Sequence, residues 1–469
     1  MKRAALIKIR EKTINYLAQL LGAFLLLRSV TVFFKAQFEP FLAPISLFSF
    51  GLDFLLVNLL AFTLIPILKR CFENAAWLWS CLSIFFASNL LSYVLQAKLD
   101  SRQDFLLQLF IFTLLFAYAL RQNFRALGAK PKTAPLKAPG SANSNSLVWL
   151  LALLITAVLF HLIVNTLYFK YRMNSLLSPA FDYGIFVQAM EGIIRTARPL
   201  TSIERGYELS HSAVHFSPIL YLLAPVYAIF RTASCLNYLQ TIIVLLALIP
   251  AYFFMKNSGF KLSLNLVILG LLAFSPFQIL STHYDFHENC FLPLTIFTYL
   301  WLKSTKVNPA WDFLAALAIL MVKEDAFIYL FSLSLFFLIR AVKNMDFKAV
   351  KHEFLLLSFS LFYFILAALY IRSFGLGIMT NRFNNLCRYP QVGILDVLLS
   401  FWFRPSLVLT QILHYGKLRY LCMSFICSGF ALIWSKRYEL WVLAIPLVFV
   451  NLLSSWKYQT DIFFQYHQG

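Results

Sequence analysis

Charged side chains are scarce in this chain. Asp, Glu, Lys and Arg make up 13% of its 469 residues, where a soluble domain carries about 25%. Acidic residues are scarcest, 20 against 40 Lys and Arg. The hydrophobic share is 60%, Phe alone contributes 50 residues, and mean hydropathy is +0.74. So little charge cannot keep so much apolar surface in water, which excludes a soluble enzyme and a disordered chain. Paired cysteines are also lacking. The seven Cys form no CxxC, and most lie in or beside apolar runs, where they read as small hydrophobes. That excludes a disulfide scaffold and a cysteine zinc site. No small-residue cleavage site closes the first apolar run early, so MKRAALIKIREK and the run behind it read as a cytoplasmic tail and a retained first helix. The net charge of +20 would suggest nucleic acid in a soluble protein. In this composition it reads as basic loops facing the cytoplasm and anionic lipid headgroups, with no nucleic-acid partner.

What remains is an all-α, polytopic integral membrane protein. A crossing helix needs about 20 apolar residues. On that criterion the spans fall near 14–35, 43–68, 75–98, 104–121, 147–169, 235–255, 262–281, 290–303, 309–322, 326–341, 353–372, 418–434 and 438–454. Two further apolar segments, 216–231 and 396–413, fit either spans or helices lying on the membrane surface. Residues 121–146 are basic and rich in Pro, Gly, Ser and Asn, the composition of a linker. The expected organisation is therefore a four-span part over 1–120, a cytoplasmic linker over 121–146 and a membrane domain over 147–469. If 216–231 does not cross, the basic turns at 256–261, 303–306, 340–351 and 435–437 share the cytoplasmic side. They hold ten Lys and Arg, against eight in the opposite loops from Lys323 onward. Eight of the twenty acidic residues then gather on the outer side: Asp182, Glu191, Glu204 and Glu208; Asp285 and Glu288; Glu324 and Asp325.

Four segments carry polar groups that a bilayer boundary does not tolerate idly. In SPAFDYGIFVQAMEG, Asp182 stands at the start of an apolar helical pattern, either as a dipole-favoured residue of a surface helix or as a functional acid. In HSAVHFSP, His211 and His215 are spaced i, i+4, and Pro218 either interrupts that helix or starts a new one. Two His alone are weak evidence for a metal. In STHYDFHENC, His283, Asp285, His287, Glu288 and Asn289 crowd between two apolar runs. Those are the residue types of acid–base work and of metal sites. In MVKEDAF, Lys323, Glu324 and Asp325 break a long apolar run, as a tight turn between spans or as a site where Lys323 meets a phosphate.

Taken in this order, FDYGIFVQAMEG, HFSPILYLLAPVYAIF, YDFHEN and VKEDAF resemble the family of predicted bacterial membrane proteins called domain of unknown function 2079. The resemblance covers about 149–469. That family is itself similar in layout to the GT-C superfamily of integral-membrane glycosyltransferases, which take sugars from polyprenyl-phosphate donors on the outer side of the membrane. The resemblance implies a GT-C-like C-terminal part and a place in the bacterial plasma (inner) membrane. It also implies membrane lipid and a polyprenyl-phosphate sugar donor as partners. Asp182 matches the first acidic position of the GT-C pattern, Asp285 or Glu288 the second, and Lys323 a polar break in a later span. The expected catalytic residues are Asp182 as base, with Asp285 and Glu288 orienting the acceptor or holding a divalent metal, the one cofactor considered. Lys323 and Arg205 are expected at the phosphate, with His215 and His287 in support. Family members continue past the segment matching FFQYHQG, so an early stop at Gly469 is a further expectation. A transporter or lipid-handling protein without catalysis is the alternative, although the internal repeats of spans usual in transporters are missing. An inactive or structural membrane protein is the third.

Overall fold

The computed structural model describes most of residues 180–466 and scattered positions between 148 and 166. The four spans and linker expected over 1–146 lie outside the described residues. The chain divides into two compact units, 1–138 with 424–434 and 139–423 with 435–469.

The described residues are mostly helical. Helix α1, Ala180–Thr196, buries Ile185, Phe186, Ala189, Met190 and Ile193, the spacing of one helix face. Asp182 lies in its first turn, where a carboxylate complements the helix dipole. The chain then makes a two-stranded antiparallel ribbon, β1 (Leu200–Thr201) with β2 (Leu209–Ser210). Gly192 lets the ribbon lie close: a Cβ there would come 2.5 Å from the Arg198 carbonyl oxygen and the Leu200 nitrogen.

Between the ribbon and the next long helix, the apolar segment 216–231 forms only a five-residue 3₁₀ helix, Pro218–Leu222, and a six-residue helix α2, Ala224–Ile229. Neither reaches the length of a span. The segment is stitched at one level instead: the Ile219 N–H donates to the Met321 carbonyl (2.9 Å) and the Phe216 N–H to Glu324 Oε2 (3.0 Å). Arg231 grips Glu191 of α1 through two nitrogens, at 2.8 and 2.5 Å.

Helices α3 (Ala233–Leu246) and α4 (Leu248–Asn257) run on as one 25-residue apolar segment. Then come α5 (Leu262–Ala273), α6 (Phe291–Thr305), α7 (Pro309–Leu320), α8 (Phe327–Lys343) and α9 (Phe347–Ser373). Among the described residues, Ala233–Asn257, Glu324–Lys343 and Phe347–Ser373 are long and apolar enough to cross a membrane. Asn308 caps α7 through the Ala310 N–H, with Pro309 in the first turn, and Asp346 caps α9 through the Ala349 N–H. The main core gathers residues of α1, α3, α6, α7 and α8, among them Met190, Leu236, Tyr299, Ile319 and Leu330.

The second ambiguous segment, 396–413, is also broken. It forms α10 (Ile394–Phe403) and α11 (Pro405–Ile412), with Arg404 at the join paired to Asp396 at 2.9 Å. Trp402 and Phe403 stand outward, as in a helix whose apolar face meets lipid. Helices α12 (Tyr415–Cys427) and α13 (Trp441–Leu453) follow.

Candidate functional site

The start of α1, the loop before α6 and the break between α7 and α8 meet at one place. Asp182 lies on α1, and the Tyr284 hydroxyl donates to its Oδ2 at 2.6 Å. His287 Nε2 lies 3.9 Å from the same oxygen. The loop carrying Tyr284 and His287 is held by Gln240 of α3. Gln240 Oε1 accepts from the His287 N–H (2.9 Å), and its Nε2 donates to the Tyr284 carbonyl (3.1 Å). His287 in turn points Nδ1 at the Asp285 carbonyl, at 2.9 Å. Burial is the main influence on this imidazole and pushes it down to about 4, against the pull of Asp182 and Glu288. The ring is therefore neutral near pH 7. It donates through Nδ1 and offers Nε2 as a lone pair, so its approach to Asp182 is not an ion pair.

Behind this surface lies a buried ion pair. Glu288 is fully buried, and Lys323, extended at the break before α8, meets its Oε1 at 2.9 Å. Burial opposes charge on Glu288, but the Lys323 ammonium outweighs it and holds the carboxyl well below the usual range. Breaking such a pair strands a charge at a cost of about 3–5 kcal/mol. His215 points Nδ1 at Glu324 Oε1 (2.8 Å), and His211 points Nδ1 at Glu204 Oε2 (3.0 Å). On His211 burial again resists charge, but the hydrogen bond and charge of Glu204 prevail and raise it. The rings of His211 and His215 lie 5.6 Å apart, and Phe186 sets its edge against both His211 and His287.

The spacing of His211 and His215 thus resolves in favour of the Pro218 break. His211–Ala213 is a single 3₁₀ turn, and a new 3₁₀ helix begins at Pro218. Of the residues singled out in the sequence, Asp182, Asp285, Glu288, His215, His287 and Lys323 are brought into one neighbourhood. Arg205 is not: it is exposed on the ribbon, and its guanidinium donates to the Glu204 carbonyl at 2.9 Å. Two residues that position the site are not singled out by the sequence, although Tyr284 lies inside YDFHEN. Tyr284 passes as one more aromatic, and Gln240 is marked only by being an amide in an apolar helix.

Besides the exposed Asp325 at the break before α8, the arrangement offers a half-open carboxylate on α1. The Asp182 side chain is 29% exposed, whereas those of Glu288 and Lys323 are at most 5% exposed. Asp182 can take a proton from a ligand; the buried pair cannot reach one without moving. Among the described residues no group of three His, Cys, Asp or Glu side chains is arranged to hold an ion, so no step is assigned to one.

Comparison with known proteins gives one family. The model described as Predicted membrane protein (DUF2079) matches residues 172–468. No curated protein and no solved structure matches the chain.

Proposed function

The chain belongs to the DUF2079 family of predicted membrane proteins, and on that premise we propose that it is a GT-C-like glycosyltransferase. In this reading it is a multi-pass protein of a bacterial plasma (inner) membrane, with about thirteen spans. A four-span part over 1–120 and a cytoplasmic linker over 121–146 precede the catalytic membrane domain. The donor is a sugar on polyprenyl phosphate at the outer side, where nucleotide sugars are absent.

The observation that carries the reading is Asp182, a partly exposed carboxylate oriented by the Tyr284 hydroxyl beside a neutral imidazole. As the acceptor hydroxyl attacks the anomeric carbon, its proton passes to Asp182. A bond forms between the acceptor oxygen and that carbon. The carbon–oxygen bond to phosphate breaks, and its electron pair leaves with the lipid phosphate. Of the two cations expected at that phosphate, Lys323 is paired with Glu288 and Arg205 lies apart from Asp182, so neither is assigned to it. Asp285 and His287 hold the loop that orients Asp182. Glu288 and Lys323 neutralise one another beneath it, so in this proposal they brace the site rather than meet the donor. His215 braces it in the same way through Glu324.

The test is sugar transfer from a polyprenyl-phosphate donor by the purified chain in detergent. Asp182→Asn keeps the shape but loses the base, and turnover should fall about 10²–10⁴-fold with folding unchanged. Full turnover in that variant would remove Asp182 from the mechanism. No transfer with any polyprenyl-linked sugar would favour a transporter or lipid-handling role.

A further inference from the structure

A row of aromatic rings leads away from Asp182. It begins at His287, whose ring stacks on Tyr284 with centroids 5.4 Å apart. Tyr284 meets Phe464 at 4.3 Å, Phe464 meets Tyr458 at 4.3 Å, and Tyr458 meets the edge of Trp456 at 5.2 Å. Tyr466 lies parallel to Phe464 at 6.4 Å. The last four of these rings come from the segment after α13, outside the helices long enough to cross a membrane. None of the five aromatic side chains from Tyr284 onward is buried, and Trp456 is 44% exposed.

We propose that this row is a saccharide-binding subsite that delivers the acceptor to Asp182; the delivery rests on the transferase reading, the binding does not. A sugar ring presents a face of C–H groups, slightly positive, that lies well against the negative face of an aromatic ring. Its rim hydroxyls suit Tyr O–H and Trp N–H groups, which seek partners at a wet boundary. Aromatic rings also attract quaternary ammonium ligands, but cations already sit on this row. The Arg382 guanidinium lies 5.9 Å from the Trp456 centroid and 5.5 Å from that of Tyr466, and Lys457 Nζ lies 4.9 Å from that of Tyr458. A positively charged ligand would be repelled there. An interfacial anchor belt needs rings that point separately into the headgroups, whereas these contact one another in file and end on the candidate base.

The experiment uses the full chain in detergent, without donor lipid, on an array of neutral and acidic oligosaccharides. Binding is expected, weakened about tenfold by Trp456→Ala or by Tyr458→Ala, the size of one aromatic stacking contact. Tyr458→Phe, which keeps the ring, should retain most of it. If the alanine variants fail to fold, saturation-transfer NMR on the unmodified chain decides. Irradiating aromatic protons should carry magnetisation to the C–H protons of a bound sugar. No binding to any oligosaccharide, binding indifferent to both alanine changes, or no transfer from aromatic protons would each overturn the subsite. Oligosaccharide binding without sugar transfer would leave the subsite standing and remove the transferase. Transfer unaffected by both alanine changes would do the reverse.

Discussion

At the scale of single residues, two histidines a few ångströms from the same Phe186 ring are held in opposite states. His287 is driven down to about 4 by burial, while Glu204 lifts His211 above its ordinary 6.5 despite burial. The consequences for stability have opposite signs. A neutral buried His287 means that the unfolded chain binds the proton first, so stability falls as pH drops from about 6.5 to about 4. The charged His211–Glu204 pair contributes fully below about 6.5 and is lost as pH rises through the raised folded value. The melting temperature of the detergent-solubilised protein should therefore trace a dome against pH. His287→Gln should flatten its acid limb and His211→Gln its alkaline limb. An acid limb unchanged by His287→Gln would show that another group controls it. Asp182 was legible in the sequence because a carboxylate inside an apolar pattern stands out; Gln240 and Tyr284 were not, because their value lies in what they touch across long stretches of chain.

At the scale of helices, a second polar cluster closes the far end of α6. Lys303 pairs with Asp312 of α7 at 3.1 Å and with Glu353 of α9, and His352 meets Asp312 at 3.0 Å. Lys303 also lies over the rings of Tyr299 and Phe337, 5.5 and 5.3 Å from their centroids. One cation thus ties α6, α7, α8 and α9 together, about 18 Å along α6 from the site at its other end. Lys303→Met leaves Glu353 without its cation and should cost about 3–5 kcal/mol. The check is thermal unfolding, with Glu353→Gln added to the same chain restoring part of the loss. If the single variant melts normally, the ties between these helices are apolar. The sequence reading placed these helices closely, since long apolar runs state their own length. It left 216–231 and 396–413 open, because an apolar run of intermediate length fits a span or a surface helix equally well.

At the scale of the molecule, the Ile219 N–H bond to the Met321 carbonyl and the Phe216 N–H bond to the Glu324 carboxylate tie the segment of short pieces at 218–229 to the break before α8. If the segment does not cross, as we propose, the ribbon, the loop before α6 and the break before α8 share a side, and the basic turns at 256–261, 303–306 and 340–351 share the other. Single-cysteine labelling in a cysteine-free background tests this. In intact cells an impermeant thiol reagent should label Tyr207→Cys and spare Ser258→Cys. Labelling of both from the same side, or the reverse pattern, would sink the arrangement.

Composition and periodicity alone determined that this chain belongs in a membrane, that it is helical, and roughly where α3–α4 and α6–α9 begin and end. Those are local properties: a bilayer demands unbroken apolar length and internally satisfied backbone, and both can be counted along a sequence. The tertiary structure alone decided which polar groups are partners. Lys323 is read in sequence as a charge awaiting a phosphate, yet 35 residues away Glu288 already claims it. Tyr284 reaches Asp182 across 102 positions, and Phe464 reaches Tyr284 across 180. At the membrane boundary a polar side chain must find a partner, water or another side chain. Which one it finds depends on how the helices pack, and no local pattern in the sequence records that.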